Sequence, residues 1–165
     1  MADNFNPEEG KLPSSLNTLT ILTFIGSGLL SILGGFWQYA RADKGVEDLE
    51  KAMNSPDFDK MPDFAKKMMT PEALEAAKQA AANKMPILIL TLLGGVLCIV
   101  GAAQMRKLKM QGYYIWLMGE IVPAICMIFF VGKAAYSGWG PMIGWAIALL
   151  FIILYTMQRK YLVNK

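Results

Sequence analysis

The chain of 165 residues lacks histidine altogether and has only two cysteines, Cys98 and Cys126. Histidine is the residue that most often ligates haem iron or zinc and that most often acts as a general base, so its absence removes the usual forms of such sites. Both cysteines lie in apolar runs, and in antiparallel neighbours helical rise separates them in depth by about 12 Å, beyond the reach of a disulfide. No nucleophile–base pair and no set of metal ligands stands out. We therefore predict no enzyme activity, no metal, no cofactor and no nucleic-acid partner.

Charged residues are scarce as well, at 18% of the chain, whereas hydrophobic residues reach 55%. The apolar residues gather in four runs of about 18 or more residues, which is the length of a transmembrane helix. These runs cover about 16–39, 85–103, 112–131 and 140–157. The sequence predicts an all-α fold, a single membrane domain over residues 1–165 built as a four-transmembrane-helix bundle. The 12 methionines show no tight repeated spacing, so flexible apolar filling is favoured over a copper(I) site.

Residues 41–84, between the first and second runs, form the one long polar segment. Its end is rich in helix formers, and Thr70 followed by Pro71 is a strong helix start, so we predict a helical loop whose last helix runs into the second span with a bend near Pro86. Basic residues gather in the hinge at 105–112 and in the tail at 159–165. Positive charge favours the cytoplasmic side. We therefore predict that both termini are cytoplasmic (N-in and C-in) and that the loop is extracytoplasmic, a solvated cap rather than a docking surface.

Small residues recur in the first two spans, in ILTFIGSGLLSILGG at 21–35 and in ILTLLGGVLCIVGA at 89–102. Small residues let membrane helices approach closely. We predict that spans one and two pack through these stripes. An inverted duplication of the kind that transporters use is the alternative, although the sequences of spans three and four are not similar to each other. The predicted packing residues are Gly28, Ser31, Gly35, Gly94, Gly95 and Gly101.

Glu120 lies near the middle of the third span, where a charged side chain costs about 2.5–3.5 kcal/mol to insert. Matching depths by helical rise places it level with Ser27 of the first span, with Thr23 one turn shallower. Pro123 has no amide hydrogen and so frees the carbonyl of Gly119 to accept a hydrogen bond. We predict an intramembrane polar site of Glu120, Ser27, Thr23 and Pro123, with a protonated Glu120 that faces the interior. A neutral structural acid is the favoured role; a proton- or cation-handling group and a partner for a basic residue of another subunit stay open.

The two glycine-rich spans, the segment MRKLKMQGYYIWLMGEIVP at 105–123 and the short fourth span resemble small, uncharacterised four-span membrane proteins of bacteria. The resemblance covers most of the chain outside residues 41–84, and it implies a multi-pass protein of the bacterial cytoplasmic (inner) membrane, with the lipid bilayer as its surroundings. We predict a non-enzymatic accessory or assembly subunit of a larger membrane complex, in contact with other membrane subunits or with copies of itself. The alternative is a small oligomeric transporter or proton-coupled carrier that uses Glu120.

Overall fold

The computed structural model describes residues 12–133 and 139–163. Within these ranges the chain is all-helical and has no strand. Four helices are long and apolar enough to cross a membrane, and they coincide with the four predicted runs. The predicted all-α class and the four predicted long apolar helices are therefore confirmed for this part of the chain. The four helices cover Ser14–Met53, Lys84–Arg106, Met110–Val131 and Met142–Tyr161.

The first helix is continuous over 40 residues but changes its winding in the middle. Its two α-helical parts are α1 (Ser14–Thr23) and α2 (Ser31–Met53), and a π-helical segment, Phe24–Leu30, joins them. Ser31 Oγ donates a hydrogen bond to the carbonyl of Gly26 at 3.3 Å, which supplies a partner within the wider turns. Apolar run length carries no information on winding, so the sequence predicted the span and not its π segment. Such segments are rare and are found frequently at functional sites.

Beyond the apolar run, the polar loop forms three short helical pieces. A 3₁₀ turn (Phe58–Lys60) is followed by α3 (Asp63–Met68) and α4 (Pro71–Ala82). Thr70 caps α4, because its hydroxyl accepts a hydrogen bond from the amide of Ala73 at 3.2 Å. These pieces extend the helical content of the chain through most of residues 41–84.

The start of α4 also holds an acidic side chain in its first turn, Glu72. The pKa of this carboxyl is lowered because the carboxylate accepts a hydrogen bond from its own backbone N–H and a second from the Thr70 hydroxyl. Both hydrogen bonds favour the charged form, as does the partial positive charge at a helix N-terminus. The helix start that the sequence indicated is thus stabilised by Thr70 and Glu72 together.

The second membrane helix is α5 (Lys84–Arg106), and it is separate from α4. The sequence predicts one helix that runs from Pro71 into the second span with a bend near Pro86. In the structure, α4 ends at Ala82 and Asn83 separates it from α5. Asn83 Nδ2 donates to the carbonyls of Gln79 and Phe130, at 2.9 Å and 3.2 Å. The side chain of Asn83 therefore satisfies the end of α4 and ties it to the third membrane helix, α6 (Met110–Val131).

Helices α5 and α6 approach each other through glycines. A Cβ atom built on Gly101 would lie 2.5 Å from the amide nitrogen of Trp116 and 2.7 Å from the carbonyl oxygen of Gly112. A Cβ atom on Gly119 would lie 2.7 Å from the sulfur of Cys98. Real Cβ atoms essentially never come so close, so the two backbones pack at a distance that only glycine permits.

The small residues of the second span are divided between two neighbours. Gly95 faces the first helix, since its Cβ position lies 3.2 Å from the carbonyl oxygen of Ser27, and Gly28 and Gly35 of the first helix face Ile99 and Thr91 in return. Gly94 and Gly101, which the sequence assigned to the same contact, face α6 instead. The reason is geometric: adjacent residues on an α-helix point about 100° apart, so a glycine pair cannot face one neighbour.

The fourth membrane helix, α7 (Trp139–Gln158), contacts the others mainly near its C-terminal end. Tyr155 is fully buried there, with its ring centroid 4.4 Å from that of Trp116. The chain that follows α7 adds backbone hydrogen bonds, because the Val163 amide donates to the carbonyl of Leu108 at 2.8 Å. Towards the other end of α7, by contrast, three large apolar side chains are more than half exposed: Met142, Ile143 and Ile147.

Candidate functional site

The carboxyl group of Glu120 is held by side chains from two other helices. Ser27 Oγ, in the π segment, donates a hydrogen bond to Glu120 Oε1 at 2.8 Å. The sulfur of Cys98, on α5, lies 3.6 Å from the same oxygen and donates a weaker hydrogen bond. The structure therefore brings together Glu120 and Ser27, the two residues that depth matching placed at one level.

Cys98 is a member of this site that the sequence analysis did not include. Its side chain is buried, and Gly119 makes room for it, since a Cβ at that position would collide with the sulfur. The sequence could have predicted this neighbour. Cys98 precedes Leu108 of the hinge by nearly as many residues as Glu120 follows it, so antiparallel helices place the two side chains at similar depths. The cysteine is free. The side chain of Cys126 lies outside the described part of the structure.

The other two predicted site residues lie to either side of this contact. Pro123 borders the same cavity as Glu120 and packs against Gly94 of α5. Thr23 does not contact the carboxyl: its hydroxyl and the Tyr155 hydroxyl are hydrogen-bonded at 2.7 Å, and this bond joins α1 to α7. Tyr155 could not be chosen from sequence, because the partner of Thr23 depends on how α7 is rotated.

Three hydroxyl groups of the first helix form a column, which we call the hydroxyl column: Thr20, Thr23 and Ser27. Each is hydrogen-bonded to a different neighbouring helix. The Thr20 hydroxyl accepts from Arg106 Nη1 of α5 at 3.2 Å. Thr23 is bonded to Tyr155 of α7, and Ser27 to Glu120 of α6. Thr20 and Thr23 are almost completely buried. The hydroxyl column thus leads from the basic hinge end of the helices to the carboxyl group.

Two cavities meet at the carboxyl group. The first, the core cavity, has a volume of about 120 Å³ and lies between the π segment, α5 and α6. The second, the side cleft, measures about 180 Å³ and lies between the π segment and α7. Ser27, Ser31 and Glu120 line both. Because a water molecule occupies about 30 Å³ in the liquid, the core cavity has room for a few waters beside the carboxyl group.

The described residues contain no group of three or more acidic, cysteine or histidine side chains that could hold a metal ion. No protein-family model, no curated protein and no solved structure matches this chain. The class that the structure defines is a helical protein with four helices long and apolar enough to cross a membrane, and with a carboxyl group between them.

Proposed function

We propose that this protein is a non-enzymatic accessory or assembly subunit of a larger membrane complex. In this proposal it forms a four-helix bundle in the bacterial cytoplasmic membrane, with both termini inside and the helical loop outside. The observation that carries the proposal is the side cleft, where Glu120 lies between the π segment and α7 without being enclosed by either.

The side cleft suits a membrane helix from another subunit. Gly26 and Gly144 line it, and a Cβ built on either residue would meet nothing within 4 Å. Such bare backbone permits a neighbouring helix to approach closely. A carboxyl group in contact with lipid is also costly, so a donor from the neighbouring subunit would stabilise it. Ser27 and Cys98 both donate to Oε1 of this carboxyl, and its Oε2 is the atom that could accept from that donor.

The experiment is gentle detergent extraction followed by native mass measurement, with a matched pair of variants. Gly144→Leu fills the side cleft, whereas Gly34→Leu adds the same side chain at a position that also has nothing within 4 Å but lies outside the cleft. We expect the parent chain and Gly34→Leu to be recovered with a distinct partner subunit or with further copies, and Gly144→Leu to be recovered without it. A monomeric parent chain, or a Gly144→Leu variant that keeps its partner, would contradict the proposal.

A small oligomeric transporter or proton-coupled carrier that uses Glu120 is the second candidate. The hydroxyl column and the core cavity favour it, because they place polar groups in sequence from the hinge end to the carboxyl and beyond it to Thr91. Four helices of one chain rarely enclose a path alone, so transport would require an oligomer.

Proton flux separates the two candidates. The chain is reconstituted into liposomes that contain a pH-sensitive dye, and Glu120→Gln is compared with the parent chain. Glutamine keeps the shape and can still accept the hydrogen bond of Ser27, so the variant should fold in either case. A carrier gives flux in the parent chain and none in the variant. An accessory subunit gives no flux in either and keeps its partner in both. Infrared spectroscopy of the same pair reports whether the carboxyl is protonated.

A further inference from the structure

A second cavity, distant from Glu120, lies at the end of the helices that carries the polar loop. It is a groove of about 370 Å³ between α2 on one side and α4 with the start of α5 on the other. We call it the loop-end groove. Its walls are held together by two ion pairs across it, Lys78–Glu50 at 2.6 Å and Lys84–Asp43 at 2.5 Å. These two ion pairs therefore set the distance between the walls.

Small residues leave the loop-end groove empty. Gly45 of α2 lines one wall, and a Cβ atom built on it would meet nothing within 4 Å. Ala77, Ala80 and Ala81 of α4 line the opposite wall. Since neither wall carries a long side chain at these positions, the space is continuous and largely apolar.

The loop-end groove changes in polarity along its length. Its deep end is formed by Gly35, Leu88 and Thr91, inside the apolar runs of α2 and α5. Arg41 and Lys84 line the groove about 9–11 Å further along their helices at 1.5 Å rise per residue, and Gly45 lies about one turn beyond Arg41. A ligand that fits the deep end and the two cations is amphipathic, with an apolar chain and an anionic group.

Aromatic side chains accompany these two cations. The Arg41 guanidinium lies 5.2 Å from the ring centroid of Trp37, and Lys84 Nζ lies 5.7 Å from that of Tyr39. Tryptophan and tyrosine are enriched at the level of lipid headgroups. Trp37 is 66% exposed, as expected for a side chain at that level.

The two cations are not equivalent. Lys84 is paired with Asp43, whereas no carboxylate among the described residues lies within ion-pair distance of Arg41. An arginine that is oriented by a neighbouring ring and has no acidic partner is well suited to a phosphate, which its guanidinium can bind in a bidentate way. Basic pockets between membrane helices bind the headgroups of anionic lipids by this chemistry.

We propose that the loop-end groove is a binding site for one anionic phospholipid, with an acyl chain at the deep end between α2 and α5 and the phosphate at Arg41 and Lys84. A helix of a partner protein does not fit this space, because a helix with its side chains is about 10–12 Å across and the two ion pairs hold the walls together. The proposal is independent of the role of Glu120.

The test uses the purified full chain in detergent, titrated with phosphatidylglycerol and, separately, with phosphatidylcholine, with bound lipid counted by native mass spectrometry. We expect one phosphatidylglycerol to be retained and phosphatidylcholine to bind about tenfold more weakly or worse, since its choline cation cancels the charge of its phosphate and is repelled by Arg41 and Lys84. Glycerol phosphate, which has the anionic group without the chain, should not compete at equal concentration. Equal binding of the two lipids, or full competition by glycerol phosphate, would overturn the proposal.

Variants locate the site. Arg41→Gln should weaken phosphatidylglycerol binding about tenfold, whereas Lys44→Gln, the same loss of charge on the same helix outside the groove, should leave it unchanged. Gly45→Leu should abolish binding by filling the groove, and its helix should be retained because leucine is the better helix former. Circular dichroism checks that retention. Phosphatidylglycerol binding that survives Gly45→Leu, or that falls equally in Lys44→Gln and Arg41→Gln, would place the lipid elsewhere.

Discussion

The contact between α5 and α6 at Gly101 predicts that two glycine-to-alanine substitutions, one at the contact and one away from it, change stability in opposite directions. In Gly101→Ala the new methyl group would lie 2.5 Å from the amide nitrogen of Trp116 and 2.7 Å from the carbonyl oxygen of Gly112. Both are backbone atoms, so no side chain can rotate away and the two helices must move apart. Overpacking of this kind costs about 1–3 kcal/mol, and the upper part of that range applies because backbone must move.

The same substitution also gains helix propensity, about 1 kcal/mol for glycine to alanine in a helix interior. The net destabilisation of Gly101→Ala is therefore about 2 kcal/mol. Gly34→Ala is the matched control, because Gly34 is exposed in the first helix and a Cβ there would meet nothing within 4 Å. It should be as stable as the parent chain or up to about 1 kcal/mol more stable.

Stability is measured by titrating the purified chain from mild detergent into dodecyl sulfate and following helicity and tryptophan fluorescence. Trp116 is one of four tryptophans and lies at the contact, so its part of the emission changes when α5 separates from α6, and the helicity signal is followed beside it. A Gly101→Ala variant that unfolds at the same or a higher dodecyl sulfate fraction than Gly34→Ala would refute the close approach of the two backbones.

Three further predictions concern separate parts of the chain. Tyr155→Phe leaves the buried hydroxyl of Thr23 without its partner on α7, so it should destabilise the protein by about 1–3 kcal/mol in the same titration. Tyr114→Phe removes a hydroxyl that accepts a hydrogen bond from Arg159 at 3.3 Å on an exposed face, where water can replace it, and should change stability by less than about 0.5 kcal/mol. The pKa of Glu72 in the folded state is lowered from 4.5, so the contribution of this carboxylate to stability is complete at neutral pH and is lost as the pH falls through the folded-state pKa. Glu72→Gln should therefore be less stable than the parent chain at pH 7, and the difference in stability should vanish in acid. For the topology, a cysteine at the exposed position Lys67 should react with an impermeant maleimide in intact cells, with the parent chain as the blank; labelling only after lysis would reverse the proposed orientation.

The parts of the fold that could be predicted from sequence are those that depend on local chemistry. Four apolar runs are enough to predict four long helices, since a helix satisfies its own backbone in lipid whatever its neighbours are. The cap at Thr70 follows in the same way from the residues around it. The common depth of Ser27 and Glu120 follows from rise per residue once the direction of each span is known.

The π segment and the division of the glycines could not be predicted in this way. Gly94 and Gly95 are adjacent and chemically identical, and only the packed structure decides that the first faces α6 and the second faces the first helix. Likewise, hydropathy does not distinguish a π turn from an α turn in Phe24–Leu30.

The sequence by itself determined where the four long apolar helices lie and that Glu120 and Ser27 stand at a common depth. Only the tertiary structure decided which side chains meet: Cys98 with Glu120, Tyr155 with Thr23, and Arg106 with Thr20. The physical reason is that depth depends on one coordinate, the rise along a helix, whereas a contact depends also on the rotation of each helix about its axis. In lipid, hydrophobicity does not choose that rotation, because an apolar side chain is as well accommodated against the bilayer as against another helix. Close packing at glycine and a few interhelical hydrogen bonds choose it instead.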